Sequence, residues 1–136
     1  MRLIKVSKAE LLRISKLYKS LMSTACHGLF FREGLVIGEE ISNVAIGGDE
    51  GFFKDVKEIL VSRGWLTDIT FEEAKVVVKG SAEIDEETDI ETCHRLRGIV
   101  QKVLEVHHMK KVKITEVSCE SLGAEQCIFN CEFGGK

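Results

Sequence analysis

The sequence predicts one α+β domain, an antiparallel sheet with helices packed on it, and three observations carry that expectation. Apolar residues recur with a helical period through the first half of the chain, starting directly behind a capping signal at Ser7. Two runs rich in β-branched and aromatic residues, 65–71 and 74–79, are separated only by Glu72 and Glu73, which is hairpin spacing. Two further alternating runs, 111–119 and 126–133, follow a helical stretch and enclose a loop that contains Gly123.

Taken in order, Leu3 and Ile4 are expected to form a short leading strand. The segment Ser7–Glu10 is a capping box, in which the Ser7 hydroxyl accepts from first-turn amides while Glu10 reaches back. Behind it Leu11, Leu12, Ile14, Leu17, Tyr18, Leu21 and Met22 mark the apolar stripe of a first helix. A second helical stretch, 22–44, is interrupted by Gly28, Gly34 and Gly38. Each glycine costs about 1 kcal/mol relative to alanine inside a helix. Either close helix or strand packing, or a ligand or partner approaching the backbone, would account for them. Residues 46–49 read as a loop, and Phe52, Phe53, Val56, Ile59 and Leu60 as a third amphipathic helix stopped at Arg63–Gly64. After the hairpin comes an acidic stretch, Glu83 to Glu91, which reads as a solvated loop. Residues 90–108 then form a helix with Cys93, Leu96, Ile99, Val100, Val103 and Leu104 along one side.

Composition narrows the function classes. The chain has 136 residues, 44% hydrophobic and 30% charged, which is ordinary for one globular domain spanning residues 1–136. No apolar run approaches the ~18 residues that a membrane-spanning helix needs. The opening residues return to charge after two apolar ones, so no signal peptide and a cytoplasmic, reducing location are expected. The net charge is −3, and the best basic cluster, Lys110 to Lys113, is short. Binding to nucleic acid by this chain alone is therefore not expected.

Five cysteines in a reducing compartment do not form a disulfide framework, and four of them fall between residues 93 and 131. Strand alternation puts Val112, Ile114 and Glu116 on one face. A carboxylate on an apolar face is costly unless paired or bound to a metal. Cys119 stands where that strand ends, and Cys127 begins the return strand, so a hairpin brings them together. Cys93 lies near the start of the preceding helix, where the dipole favours a thiolate. Cys93, Glu116, Cys119 and Cys127 would make a closed, four-coordinate site of the kind zinc (Zn2+) favours. The same cysteines also read as small buried hydrophobes, and no CxxC pair decides between the two. Cys131, beside Phe129 and Phe133, is expected in the core. His94, His107 and His108 are possible substitute ligands, although a doublet at a helix end is more simply a cap or surface feature.

These residues resemble a known family. The stretch from Cys93 through Gly98, then Glu116-Val-Ser-Cys119, a loop with Gly123, and Cys127-Ile-Phe129 is similar to the C-terminal signature of the 4-vinyl-reductase-type domain. Upstream, Gly34 and Gly38 resemble that family's Gly-x-x-x-Gly helix, and the likeness spans roughly residues 10 to 133. The resemblance implies the α+β fold shared by ligand-binding domains of NO-signalling proteins and Golgi-transport (TRAPP) subunits. It also implies dimers formed through N-terminal helices, and a sensor of small hydrocarbons or aromatics, alone or attached to a transcriptional regulator. Phenol-sensing activators with this domain hold zinc through Cys, Glu, Cys and Cys at the intervals of Cys93, Glu116, Cys119 and Cys127.

Those sensors also use a His and a Trp in their ligand pocket. His27 and Trp65 are the corresponding residue types here, with Phe30 and Phe31 as further pocket candidates, but the motif does not extend to any of them. His27 also reads as a satisfied, semi-buried histidine, Trp65 as core or interface, and Phe52 and Phe53 fit core packing as well as a pocket wall. The family name suggests reduction of a vinyl group, yet no dinucleotide-binding glycine loop and no nucleophile–base pair is present. The expectation is a non-catalytic, zinc-containing module that binds a small apolar ligand, forms a homodimer and signals to a regulatory protein partner. A structural assembly subunit without ligand and a cysteine-based redox switch are the alternatives.

Overall fold

The computed structural model describes residues 2–45, 48–85 and 92–134, with the side chains of residues 48–50 outside that description. Among the described residues, four α-helices and four strands follow in the order α1 (Lys8–Met22), α2 (Cys26–Val44), α3 (Gly48–Ser62), β1 (Asp68–Phe71), β2 (Lys75–Lys79), α4 (His94–His108), β3 (Val112–Ser118) and β4 (Cys127–Phe133). This is the α+β architecture that the sequence predicts. The strands form one antiparallel sheet in the order β1-β2-β4-β3.

Local chemistry accounts for most boundaries. Ser7 accepts from the Glu10 amide at 3.0 Å while the Glu10 carboxylate accepts from the Ser7 amide at 3.1 Å, which is the expected capping box. Helix α3 ends where Gly64 takes φ 83° and the Trp65 amide donates to the Leu60 carbonyl. That left-handed residue is what a glycine stop supplies. The expected loop over residues 46–49 falls mostly outside the described residues, and α3 begins at Gly48. The leading strand is not formed: residues 2–7 have no regular structure, and Leu3 and Ile4 are exposed. An isolated apolar pair makes a strand only where a sheet edge accepts it, and none pairs with it here.

The core lies between one sheet face and helices α3 and α4. Ile69, Val76, Val78, Ile114 and Phe129 point inward from alternate strand positions against Val56, Leu60, Leu96, Ile99, Val100 and Val103. Helix α2 packs on α4 at close range. A Cβ at Gly34 would collide with the carbonyl of Arg95, and one at Gly38 would lie 2.7 Å from the carbonyl of Ile99. Gly98 of α4 faces the Phe31 carbonyl in the same way, so close helix contact explains three of the glycines. Gly28 is different, with nothing within 4 Å of its would-be Cβ. Helix α1 buries no residue at all, and its apolar positions Leu17 and Leu21 are 56% and 73% exposed. Among the described residues no helix is long and apolar enough to cross a membrane.

Candidate metal centre

Helix α4 and the β3–β4 hairpin meet at the four residues singled out by their spacing. Cys93 occupies the N-cap position of α4. Glu116 lies on the inward face of β3, where Val112 and Ile114 are buried beside it. An irregularity in the pairing of β3 with β4 falls between Glu116 and Ser118, so the strand bends after the carboxylate. Cys119 then caps the short turn Glu120–Leu122, whose exit is Gly123 at φ 89°. Cys127 opens β4 and pairs with Val78 of β2. The three cysteines are at most 1% exposed.

One donor atom from each of Cys93, Glu116, Cys119 and Cys127 lies within 4.8 Å of the others. The Cys93 and Cys127 sulfurs are 3.6 Å apart. Two thiolates at ~2.3 Å from one tetrahedral ion stand about 3.8 Å apart, so the observed spacing fits a shared cation. The surroundings hold the sulfurs in place. The Cys93 thiol donates to Ser81 Oγ at 3.2 Å, and the Glu120 amide donates to Cys127 Sγ at 3.4 Å. Thr92 Oγ1 lies 2.6 Å from Ser121 Oγ, which accepts from the Asp85 amide at 2.9 Å, and the Gly80 amide donates to Glu120 Oε1 at 2.9 Å. These bonds tie the cysteine-bearing loop to the segments before α4.

Electrostatics points the same way. Hydrogen bonds from the Cys127 and Cys93 thiols hold Cys119 far below the ordinary thiol range. The cost falls on the donors: bonding to Cys119 drives Cys93 far upward and pushes Cys127 up to about 12. A divalent cation bound among these donors would let all three thiols ionise together.

The remaining candidates fall elsewhere. Cys131 is part of the core, its thiol raised to about 11 by burial alone. His107 and His108 stand at the far end of α4, roughly 21 Å from Cys93 at 1.5 Å per residue. There they pack with Phe52, Phe53 and Phe133. His94 stacks on His27, with ring centroids 4.0 Å apart. His27 and Phe30 line one cleft, together with Leu12, Lys16, Cys26 and Thr92, that has a free volume of about 60 Å³. Phe31 lies outside it under the Arg97 guanidinium, at 4.2 Å, and Trp65 borders a separate surface groove with Ile4 and Val6.

One reading of the acidic stretch is corrected. Glu83 is 4% exposed, not solvated, and accepts from the Arg95 and Leu96 amides at 3.2 and 2.8 Å, capping α4 from a distance. Burial raises its carboxyl from 4.5 to about 7, against the opposing pull of those amides and of Arg95. Arg95 is itself buried, reaching Ser15 Oγ at 2.9 Å and lying over the Phe30 ring at 4.1 Å. Glu86 to Glu91 lie outside the described residues. Sequence reasoning missed Ser81, Glu83, Arg95 and Ser121 because each joins elements distant in sequence; the lone signal was a charged residue, Arg95, set between the apolar-face positions Cys93 and Leu96.

No family model and no curated protein matches the chain by sequence. Solved structures do. The phenol-responsive sensory domain of the transcription activator PoxR, crystallised with phenol, superposes with a TM-score of 0.77 at 16% identity, covering 96% of this chain and 76% of that one. A vinyl-4-reductase family protein from Methanocaldococcus jannaschii superposes with a TM-score of 0.66 at 14% identity, covering 99% and 85%. At such identities the likeness shows the fold alone: this chain shares the fold of these two proteins.

Proposed function

We propose that this chain is a non-catalytic module that binds a small hydrocarbon or aromatic molecule, carries one structural zinc ion on Cys93, Glu116, Cys119 and Cys127, and signals as a homodimer to a regulatory protein partner. The observation that carries the metal reading is the convergence of three buried thiols and one carboxylate within 4.8 Å. Soft sulfur donors and four-fold coordination favour zinc over the hard divalent ions. With every position filled by protein, such an ion offers no open site to a substrate, and its task is to join α4 to the β3–β4 hairpin.

The small-molecule reading draws support from the fold of a domain crystallised with phenol. Of the pocket candidates, His27 and Phe30 line one cleft and Trp65 borders a separate groove, while Phe31 lies in neither. The dimer reading rests on α1, whose Leu17 and Leu21 face solvent. That same exposed face favours one further reading, an assembly subunit that uses α1 to join other chains.

Native mass spectrometry of protein purified without added ligand tests these statements together. One zinc per chain, a dimeric mass and a small co-purified adduct are expected. Protein that is metal-free as isolated and takes up no added zinc overturns the metal reading.

A further inference from the structure

Three thiolates and one carboxylate around a dication leave a net negative charge among cysteines that are at most 1% exposed. A buried anion is costly unless hydrogen-bond donors are turned toward it. The Cys127 sulfur has such a donor in the Glu120 amide at 3.4 Å, and Thr92 Oγ1 stands 3.9 Å from the Cys119 sulfur. The Cys93 sulfur faces Ser81 Oγ at 3.2 Å.

Ser81 is 2% exposed, and the backbone around it is fixed on every side. The Gly80 amide donates to Glu120 Oε1 at 2.9 Å, and the Ala82 amide to the Trp65 carbonyl at 2.8 Å. The Ser81 carbonyl accepts from the Ile84 amide at 3.3 Å. Its hydroxyl oxygen accepts twice, from the Cys93 thiol and from the Glu83 amide at 3.2 Å. A hydroxyl also carries one proton of its own to donate. That proton cannot serve the sulfur while the thiol proton already lies between the two atoms. A metal ion displaces the thiol proton to solvent and leaves the sulfur an acceptor alone. The Glu83 amide still satisfies the serine oxygen, so the hydroxyl proton can then turn to Cys93.

We infer that Ser81 is a positioning residue of the metal centre: on metal binding its hydroxyl reverses the bond, donates to the Cys93 thiolate and holds that sulfur toward the ion. The inference rests on the metal reading above and adds the group that accommodates the charge on Cys93. The reversal keeps the same two residues in contact and needs rotation about the Ser81 Cβ–Oγ bond. Donors placed behind a metal ligand in this way orient it and are worth about 10–100-fold in affinity.

The test loads the reduced full chain with Co2+, whose sulfur-to-metal charge-transfer band reads the electron density on the thiolates. Zinc affinity is measured beside it by competition with a chromophoric chelator. A hydrogen bond lowers the energy of the sulfur lone pairs, so its loss moves the band to longer wavelength. Ser81→Ala is expected to show that shift, with zinc binding weakened about tenfold or more. Ser81→Thr keeps the hydroxyl and is expected to keep the wild-type band. Ser42→Ala removes another buried hydroxyl, which donates to the Gly38 carbonyl within α2, and is expected to change neither readout. A wild-type band in cobalt-loaded Ser81→Ala overturns the donor role even where stability falls, and so does an equal shift in Ser42→Ala. A crystal structure of the zinc-loaded wild type tests the contact without any variant. Ser81 Oγ is expected to stay at about 3.2 Å from Cys93 Sγ, and an Oγ turned away overturns the inference while leaving the metal reading standing. Wild type that binds neither ion overturns the metal reading, and the inference falls with it.

Discussion

Cys119 and Cys127 approach the same point from either end of one hairpin loop, and Cys93 reaches it from the N-cap of α4. Replacing Cys127 or Cys119 by serine removes one soft donor and leaves the other two sulfurs crowded around a weakened site. Loss of bound zinc is expected together with a fall in stability of about 3 kcal/mol or more, on the order of 10 °C in melting temperature. Metal content by inductively coupled plasma analysis beside a thermal melt checks this, and metal loss with unchanged melting refutes the structural role. Glu83 makes stability depend on pH. Its carboxyl is raised from 4.5 to about 7 by burial, so the folded state holds the proton more tightly than the unfolded state. The contribution is greatest below the unfolded value and is lost as pH rises through the folded one. The stability of wild type relative to Glu83→Gln is therefore expected to fall between about pH 5 and pH 7 and then level off. Melting both proteins with saturating zinc across that range is the measurement, and a gap constant with pH refutes it.

Helices α2 and α4 lie close enough that glycine is required at the crossing. Gly34 and Gly98 face each other, and a Cβ at Gly34 would also come within 3.0 Å of Gly98 Cα. Gly34→Ala drives a methyl into backbone, which cannot step aside as a flexible side chain would. A loss of about 3 kcal/mol is expected, at the upper end of overpacking costs. Gly28 lies in the same helix with open space around it, and Gly28→Ala is expected to gain roughly 0.5–1 kcal/mol through helix propensity. Chemical denaturation of the two variants separates these outcomes, and effects of one sign contradict the packing account. The helical pattern of α2 was legible in the sequence and so was the need to explain its glycines. Which glycine answered to which neighbour was not, because the opposing backbone belongs to a helix about sixty residues later.

At the level of the whole molecule, α1 stands apart. Its capping box makes it a good helix, yet every apolar side chain on it is at least partly exposed. A helix of this kind is marginal in water unless another surface covers it. If a second copy does so, Leu17→Glu combined with Leu21→Glu is expected to convert the dimer to monomer with little change in the melting of the core. Sedimentation velocity reads this directly, and wild type that sediments as a monomer removes the homodimer from the proposal. The described residues place the cysteine–glutamate cluster and the His107–His108 aromatic cluster at opposite ends of α4, so one helix spans both regions.

The sequence by itself determined the α+β class, the capping box at Ser7, the stop at Gly64 and the hairpin at Glu72–Glu73, all by local rules of period and turn chemistry. It offered Cys93, Glu116, Cys119 and Cys127 as candidate donors, a set that strand alternation and hairpin spacing suggested and the resemblance to a family signature singled out. Only the tertiary structure decided that Glu83 is a buried cap rather than a solvated acid, that Arg95 ties α4 to α1 and α2, and that Leu3 and Ile4 find no sheet edge. The physical reason is common to all three. Each depends on which distant backbone or side chain removes a group from water, and burial of that kind is set by packing, to which no local periodicity refers.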